Sequence, residues 1–253
     1  MAQGYQVEWD GAVVRATPSA ALSRERICRD LALPSDVGLG VGVDRLDYTK
    51  GIPQKFLAVE RLLEQRPELR GKFVFVQIAE PSRDSLPAYQ EARRQVLEAR
   101  DRVNERFASD GIPPIRLLEA HHDADAVDTL YRAADLCYVG SLRDGMNLVA
   151  KEFVNARDDE RGVLVLSRRA GAARQLRAAL LIDPYDITAA ADALQDALTM
   201  PQSEQARRMR LLRFVVRTCS AQWWAEQLLH DATRESRRPM LPARVPAIVE
   251  ATA

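Results

Sequence analysis

The chain has 253 residues, of which 47% are apolar, so it can form one large domain or two small ones around a substantial core. Lys plus Arg and Asp plus Glu both number 36, so the formal net charge is zero and neither nucleic acid nor an anionic membrane is expected as a partner. Three widely spaced cysteines, Cys28, Cys137 and Cys219, form no CxxC pair and fit a reduced, cytoplasmic protein better than a disulfide scaffold.

The first 36 residues differ in pattern from the rest of the chain. They lack the basic segment and apolar run of a signal peptide, and no apolar stretch in the chain approaches the roughly 20 residues that span a bilayer. The dipeptide Asp10-Gly11 predicts the turn of a short hairpin, and a helix is predicted near residues 23–31. We interpret residues 1–36 as a segment that approaches a larger domain.

From residue 37 onwards, short apolar runs alternate with amphipathic stretches, which predicts strands alternating with helices. The predicted strands are residues 37–43, 73–78, 115–118, 136–140, 163–167 and 180–182. The first predicted helix of this part of the chain begins at Pro53. Further helices are predicted over residues 86–107, 124–134, 146–155, 171–178 and all of 187–235. These repeated units predict an α/β fold with a doubly wound parallel sheet, Rossmann-like, over residues 37–236. Residues 237–253 contain three prolines and are predicted to be a flexible tail.

One cation-bearing loop follows the first strand of this sheet, in the run VDRLDYTKG at residues 43–51. Ligand crevices form at the carboxyl ends of parallel strands, so Arg45 and Lys50 could clamp a diphosphate there. They would then stabilise the negative charge on a leaving diphosphate. The alternative is a surface loop in which Asp44, Arg45, Asp47 and Lys50 simply pair with each other.

A second candidate lies in the run SLRDGMNLVAKE at residues 141–152, between a predicted strand and a helix. The free amide groups and the positive dipole end of a helix start attract anions. Glu152 shares a helix face with Leu148, and its carboxylate can accept two hydrogen bonds from a sugar diol. This pattern fits a nucleotide sugar, with the diphosphate at the helix start and the ribose on Glu152. The alternative is an ordinary helix start capped by Asp144, with Glu152 in solvent.

A zinc site is not expected at the cluster of His121, His122, Asp123 and Asp125. Adjacent side chains on a strand point to opposite faces of the sheet, so the two histidines cannot converge on one metal ion.

Taken together, the runs resemble a known family. The following runs occur in this order along the chain: VDRLDYTKG (43–51), QIAEPSR (77–83), AYQEAR (88–93), RVNERF (102–107), LRDGMNLVAKEF (142–153), GVLVLS (162–167), AGAA (170–173) and DPYD (183–186). Over residues 37–235 the chain resembles the retaining glycosyltransferases that make trehalose 6-phosphate from UDP-glucose and glucose 6-phosphate. The resemblance implies a GT-B fold, two Rossmann-like domains facing across a cleft, of which this chain is the C-terminal, donor-binding half.

The resemblance also implies roles for individual residues. Arg45 and Lys50 would hold the UDP-glucose diphosphate and, with Asp144 on the transferred glucose, form the catalytic set. Arg83 would contact the acceptor phosphate, and His122 takes a uracil-side position that is usually Phe. The remaining donor contacts would come from Gly145, Met146, Asn147, Leu148, Val149, Ala150, Lys151 and Glu152, with Glu152 on the ribose. No metal or cofactor is implied.

Departures from the family pattern limit what is expected of the chain. The family's N-terminal domain supplies a glycine pair, most of the acceptor pocket and a His near the transferred glucose, and none of these can be placed in residues 1–36. We therefore expect a truncated chain that binds glucose 6-phosphate only if an N-terminal domain is supplied, and that is inactive alone. Arg168-Arg169 precedes Ala170-Gly171, and the family usually has an aromatic residue at the position of Arg169. This departure affects local packing.

Two other functional hypotheses remain open. One is a non-catalytic nucleotide-sugar-binding or regulatory subunit, and the other is a different GT-B transferase such as a glucosylglycerol-phosphate synthase, against which Arg83 argues. Trp223 and Trp224, on the last predicted helix, are interpreted as core or interface packing. In a chain without the other domain, part of that helix would expose an apolar patch and favour self-association or a partner chain.

Overall fold

The computed structural model describes residues 18–83, 85–218 and 229, together with the backbone of residues 5–7 and 13–15. Internal contacts divide the chain into two units, Met1–Val216 and Arg217–Ala253. The predictions for Trp223, Trp224 and the tail at 237–253 lie outside the described residues. The predicted hairpin is confirmed, because β1 (Tyr5–Val7) pairs antiparallel with β2 (Val13–Arg15).

The first unit is built on one six-stranded parallel sheet, as predicted. Its strands are β3 (Gly38–Arg45), β4 (Phe73–Glu80), β5 (Ile115–Leu118), β6 (Leu136–Val139), β7 (Val163–Ser167) and β8 (Leu180–Ile182). The spatial order is β5-β4-β3-β6-β7-β8, and every neighbouring pair is parallel. This is the order 3-2-1-4-5-6 of a doubly wound sheet, whose direction of winding reverses between β3 and β6.

Helices cover both faces of the sheet, as a parallel sheet requires. They are α1 (Ala20–Asp30), α2 (Ile52–Gln65), α3 (Pro87–Phe107), α4 (Ala124–Ala133), α5 (Leu148–Ala156), α6 (Ile187–Thr199) and α7 (Gln202–Thr218). One apolar layer packs Val41 and Val76 of the sheet against α1, α4, α5 and α7. The other packs Phe75 against α2, α3 and α6. No helix of the described residues is long and apolar enough to cross a membrane.

Four predicted helices differ from the observed ones, and the first of them, α1, begins at Ala20 instead of near residue 23. Of the stretch predicted as helical throughout 187–235, residues 187–218 form two helices, α6 and α7, because Pro201 cannot continue a helix. Residues 219–228 and 230–235 lie outside the described residues. The helix predicted at 171–178 is a single 3₁₀ turn, Gly171–Arg174. The helix predicted from 146 begins two residues later, at Leu148.

A buried ion pair, which was not predicted from the sequence, joins α2 to the sheet. Lys55 has no exposed surface, and its Nζ lies 2.5 Å from Oδ2 of Asp44 on β3. Gln77 of β4 donates its Nε2 to the same oxygen at 3.2 Å. A Cβ atom at Gly140, directly after β6, would lie 2.6 Å from Cγ of Lys55, so only glycine leaves room for the lysine stem. The pair therefore connects α2, β3 and β4 and requires close approach of the chain after β6.

The net effect on Asp44 is that burial raises the pKa of its carboxyl above the ordinary value, against the opposing charge of Lys55. Removing only one partner would leave an uncompensated buried charge.

We predict that Lys55→Met lowers the free energy of unfolding by about 3–5 kcal/mol, because it strands Asp44. The double variant Lys55→Met/Asp44→Leu should recover most of this loss, since no charge is then left unpaired. Urea unfolding of the wild type and both variants measures the difference. Equal losses in the single and double variants would contradict this account of the pair.

Candidate functional site

Two loops meet at the edge of the sheet where the winding reverses. One follows β3 and the other follows β6, and their backbones are hydrogen-bonded: Leu142 N donates to Thr49 O at 2.8 Å, and Arg143 N to the same oxygen at 3.2 Å. Gly51, with φ of 65°, approaches the second loop so closely that a Cβ atom there would lie 2.5 Å from Gly140 O. The two motifs singled out in the sequence are therefore parts of one site.

The charged centre of this site is an ion pair between the two loops. Lys50 Nζ lies 2.6 Å from Asp144 Oδ2, and both side chains are mostly buried. Asn147 Nδ2 donates to the same carboxylate oxygen at 3.1 Å. Burial alone would raise the pKa of Asp144, but its hydrogen bonds with Lys50 and Asn147 outweigh burial and hold that pKa below the ordinary value. Asp144 is therefore a carboxylate that holds Lys50 in place.

Asn147, and not Asp144, caps the helix that follows. Its side-chain Oδ1 accepts a hydrogen bond from Ala150 N at 3.0 Å, and its φ of 72° is a left-handed conformation that Asn tolerates. Asp144 instead lies three residues earlier, in an isolated parallel bridge with Ala170. The interpretation of Asp144 as an ordinary cap is thus wrong, and its carboxylate faces Lys50.

The alternative that the four charges of the first loop simply pair with each other is also wrong. Lys50 pairs with Asp144 and Asp44 with Lys55, while Asp47 accepts hydrogen bonds from Thr49 N and Oγ1, both at 2.8 Å. Arg45 is exposed and forms no hydrogen bond or ion pair with a described residue. One guanidinium at the site is therefore available to an anionic ligand.

A cavity of about 190 Å³ opens beside Arg45, on the side of the sheet where α4 and α5 lie. It is lined by Val43, Asp44, Arg45, Ile78, Glu80, His122, Val127 and Val149. The structure thus brings together three residues of the predicted donor set, Arg45, His122 and Val149. Ile78 and Glu80 also line the cavity but were not predicted as site residues, although both lie in the run QIAEPSR at the end of a buried strand.

The other predicted donor residues follow along α5. Glu152 is exposed on this helix, and Tyr131 donates its hydroxyl to Glu152 Oε2 at 3.3 Å. Gly145, Met146 and Leu148 are exposed and Lys151 is half-buried, whereas the side chain of Ala150 is fully buried. Ala150 can therefore contribute to a ligand site through its backbone alone, and Asn147 already occupies its amide.

Arg83 lies beyond the carboxyl end of β4 and is linked to the first loop through an aromatic residue. Its Nη1 lies 3.2 Å from the hydroxyl of Tyr89, and its guanidinium lies 5.8 Å from the centre of that ring. Tyr89 in turn donates to Asp47 Oδ2 at 3.4 Å. Arg83 is exposed, with φ of 51°, so this network holds it at the same edge of the sheet as Arg45 and Lys50.

Comparison with known proteins identifies the family. The sequence profile of glycosyltransferase family 20 matches residues 29–234. The chain is 45% identical over 190 residues to a trehalose-6-phosphate synthase of Salmonella arizonae, a match that covers 75% of this chain and 40% of that protein. It is 44% identical over 200 residues to a probable alpha,alpha-trehalose-phosphate synthase [UDP-forming] of Arabidopsis thaliana, covering 78% of this chain and 26% of that one.

Solved structures agree with the sequence matches. An alpha,alpha-trehalose-phosphate synthase from Burkholderia xenovorans in complex with glucose-6-phosphate superposes with a TM-score of 0.78 at 39% identity, covering 88% of this chain and 53% of that one. An E. coli protein of this kind, bound with UDP-2-fluoro glucose, superposes with a TM-score of 0.78 at 36% identity, covering 91% and 54%. The chain spans about 40% of the length of the bacterial curated relative and somewhat over half of the solved ones. With a family profile that matches most of its length, the chain belongs to glycosyltransferase family 20.

Proposed function

We propose that the chain binds UDP-glucose and forms the donor half of a trehalose-6-phosphate synthase, which transfers glucose to glucose 6-phosphate. The observation that carries this proposal is the arrangement at the switch point of the sheet. Arg45 is unpaired among the described residues there, and Lys50 is held by Asp144 beside the start of α5. A diphosphate is the ligand chemistry that this pair of cations at a sheet edge fits best.

In this proposal Arg45 and Lys50 act as electrostatic catalysts. As the bond between glucose and the diphosphate breaks, negative charge grows on the leaving phosphate, and the two cations stabilise it. Lys50 is prepositioned because Asp144 neutralises it in the free protein. Asp144 keeps further lone pairs with which to accept hydrogen bonds from the transferred glucose.

The acceptor would enter from the side of Arg83. Phosphate monoesters are bound well by the planar guanidinium fork, and Tyr89 fixes that fork at the same edge of the sheet. The match covers only 53% and 54% of the two relatives with known structures, so the rest of the acceptor pocket is expected from additional chain. Glucose 6-phosphate is accordingly proposed as the substrate of the complete enzyme.

We predict that Arg45→Ala weakens UDP-glucose binding about 10- to 100-fold, because a charge-assisted, bidentate contact to the diphosphate is lost. Titration calorimetry of the wild type and the variant measures the change. Arg61→Ala is the matched control, since Arg61 lies on α2 and pairs only with Glu64 in the described residues. A wild type without measurable affinity for UDP-glucose would contradict the proposed function.

We predict that the Lys50–Asp144 pair makes stability depend on acidity. Because the pKa of Asp144 is lowered on folding, its contribution is complete above the ordinary value of 3.8 and is lost as the pH falls through the lowered value. Asp144→Asn should therefore cost about 1–3 kcal/mol at pH 7 and progressively less below pH 4. Urea unfolding at a series of pH values tests this, and a cost independent of pH would count against it.

We predict that the 253-residue polypeptide, purified by itself, turns over UDP-glucose and glucose 6-phosphate at under about one hundredth of the rate of a full-length relative. Rate acceleration needs both substrates held in reacting geometry, and in this proposal the chain supplies only the donor side. Release of UDP in a coupled assay measures turnover. A rate equal to that of the full-length relative would refute the assignment of this chain as a donor half.

A further inference from the structure

The proposed function leaves one charged residue of the cavity without a role, Glu80. It is the last residue of β4, in register with Arg45 on β3, and its carbonyl oxygen accepts from Leu46 N at 2.7 Å. Its side chain is 43% exposed and lines the cavity. No lysine or arginine of the described residues pairs with its side chain, and His121 Nδ1 lies 2.6 Å from its Oε1.

The cavity is placed to receive the base of a nucleotide, an assignment that rests on the proposed function. Arg45, at one wall, is the proposed diphosphate contact. Val149, at another wall, precedes Glu152 by three residues on α5, so the two share a helix face and the ribose contact adjoins the cavity. At about 190 Å³ the cavity is smaller than the roughly 300–1,000 Å³ of typical ligand pockets, and it fits one ring system better than a whole nucleotide sugar.

The walls of the cavity suit a flat base. Four apolar side chains, Val43, Ile78, Val127 and Val149, supply surfaces against which a ring can pack. The polar residues that line it are Arg45, Glu80, His122 and Asp44, whose carboxylate is paired with Lys55. Nucleobases in such pockets are selected by hydrogen bonds to their Watson–Crick edge.

Glu80 is oriented by His121 and keeps accepting capacity for a ligand. An ionised carboxylate can only accept hydrogen bonds, so at 2.6 Å the Nδ1 of His121 must be the donor. A carboxylate accepts at about four lone-pair positions, which leaves Oε2 and the second lone pair of Oε1 available.

A carboxylate, which can only accept hydrogen bonds, binds some bases better than others. The Watson–Crick edge of uracil offers one N–H between two carbonyl oxygens, so a carboxylate beside it gains one hydrogen bond and faces an oxygen. Guanine offers two adjacent donors, N1–H and the N2 amino group, which match the two oxygens of a carboxylate. We propose that Glu80 reads the base, so that this site accepts guanine as well as uracil and GDP-glucose competes with UDP-glucose as donor.

Calorimetric titration with GDP and with UDP tests the proposal on the wild type, Glu80→Gln and a matched control, Glu119→Gln. Glu119 pairs with Arg93 and does not line the cavity. The wild type should bind GDP at least as tightly as UDP. Glu80→Gln should weaken GDP binding at least tenfold relative to UDP binding, because an amide loses one acceptor for the two guanine donors and offers a donor to a uracil carbonyl. Glu119→Gln should leave both affinities unchanged.

The outcomes separate this inference from the proposed function. UDP binding with GDP more than tenfold weaker in the wild type would overturn the role of Glu80 and leave the donor site intact. A ratio of affinities that Glu80→Gln does not change, or that Glu119→Gln changes equally, would overturn it as well. Failure of the wild type to bind either diphosphate would overturn both proposals. Retained UDP binding by Glu80→Gln shows that the variant is folded.

Discussion

The buried ion pair of Lys55 and Asp44 is the constraint on which the rest of the site depends. Two charges without solvent are tolerated only when each has its partner in place, so this pair holds α2 and β3 in one arrangement. Gln77 adds β4 to the cluster, and Gly140 lets the chain after β6 pass close to the lysine stem. Asp44 is next to Arg45 in the chain, and its ion pair with Lys55 compensates its negative charge.

A second arrangement of charges is built above the first, at the switch point of the sheet. The winding reverses between β3 and β6, and the loops that leave these two strands are hydrogen-bonded to each other there. Lys50 and Asp144, 94 residues apart in the chain, form the ion pair between these loops. Asp44 and Asp144 thus each have a lysine partner, and Arg45, which forms no ion pair with a described residue, is the cation that an anionic ligand can use. The charges of the site therefore differ in whether they are paired, and the backbone hydrogen bonds between the two loops hold the Lys50–Asp144 pair in position.

Sequence patterns predicted the sheet well and the helix ends less well. The strands at 115–118, 163–167 and 180–182 are confirmed to the residue, because they are short runs rich in Leu, Ile and Val that end at a charged residue. The start of α5 was misplaced because Asp and Asn are equally good caps, and nothing local chooses between Asp144 and Asn147. The choice is made by Lys50 and Ala170, which engage Asp144 from distant parts of the chain.

The sequence by itself determined the fold class, the family and the two motifs that carry the candidate site, because periodicity and short runs of residues are local properties. The resemblance to the family also implied roles in donor binding for Arg45, Lys50 and Asp144. Only the tertiary structure decided which charges are paired, since pairing depends on distances between residues far apart in the chain. For the same reason it alone revealed Lys55 as the buried partner of Asp44 and placed Glu80 at the wall of the cavity, where its carboxylate can meet a base.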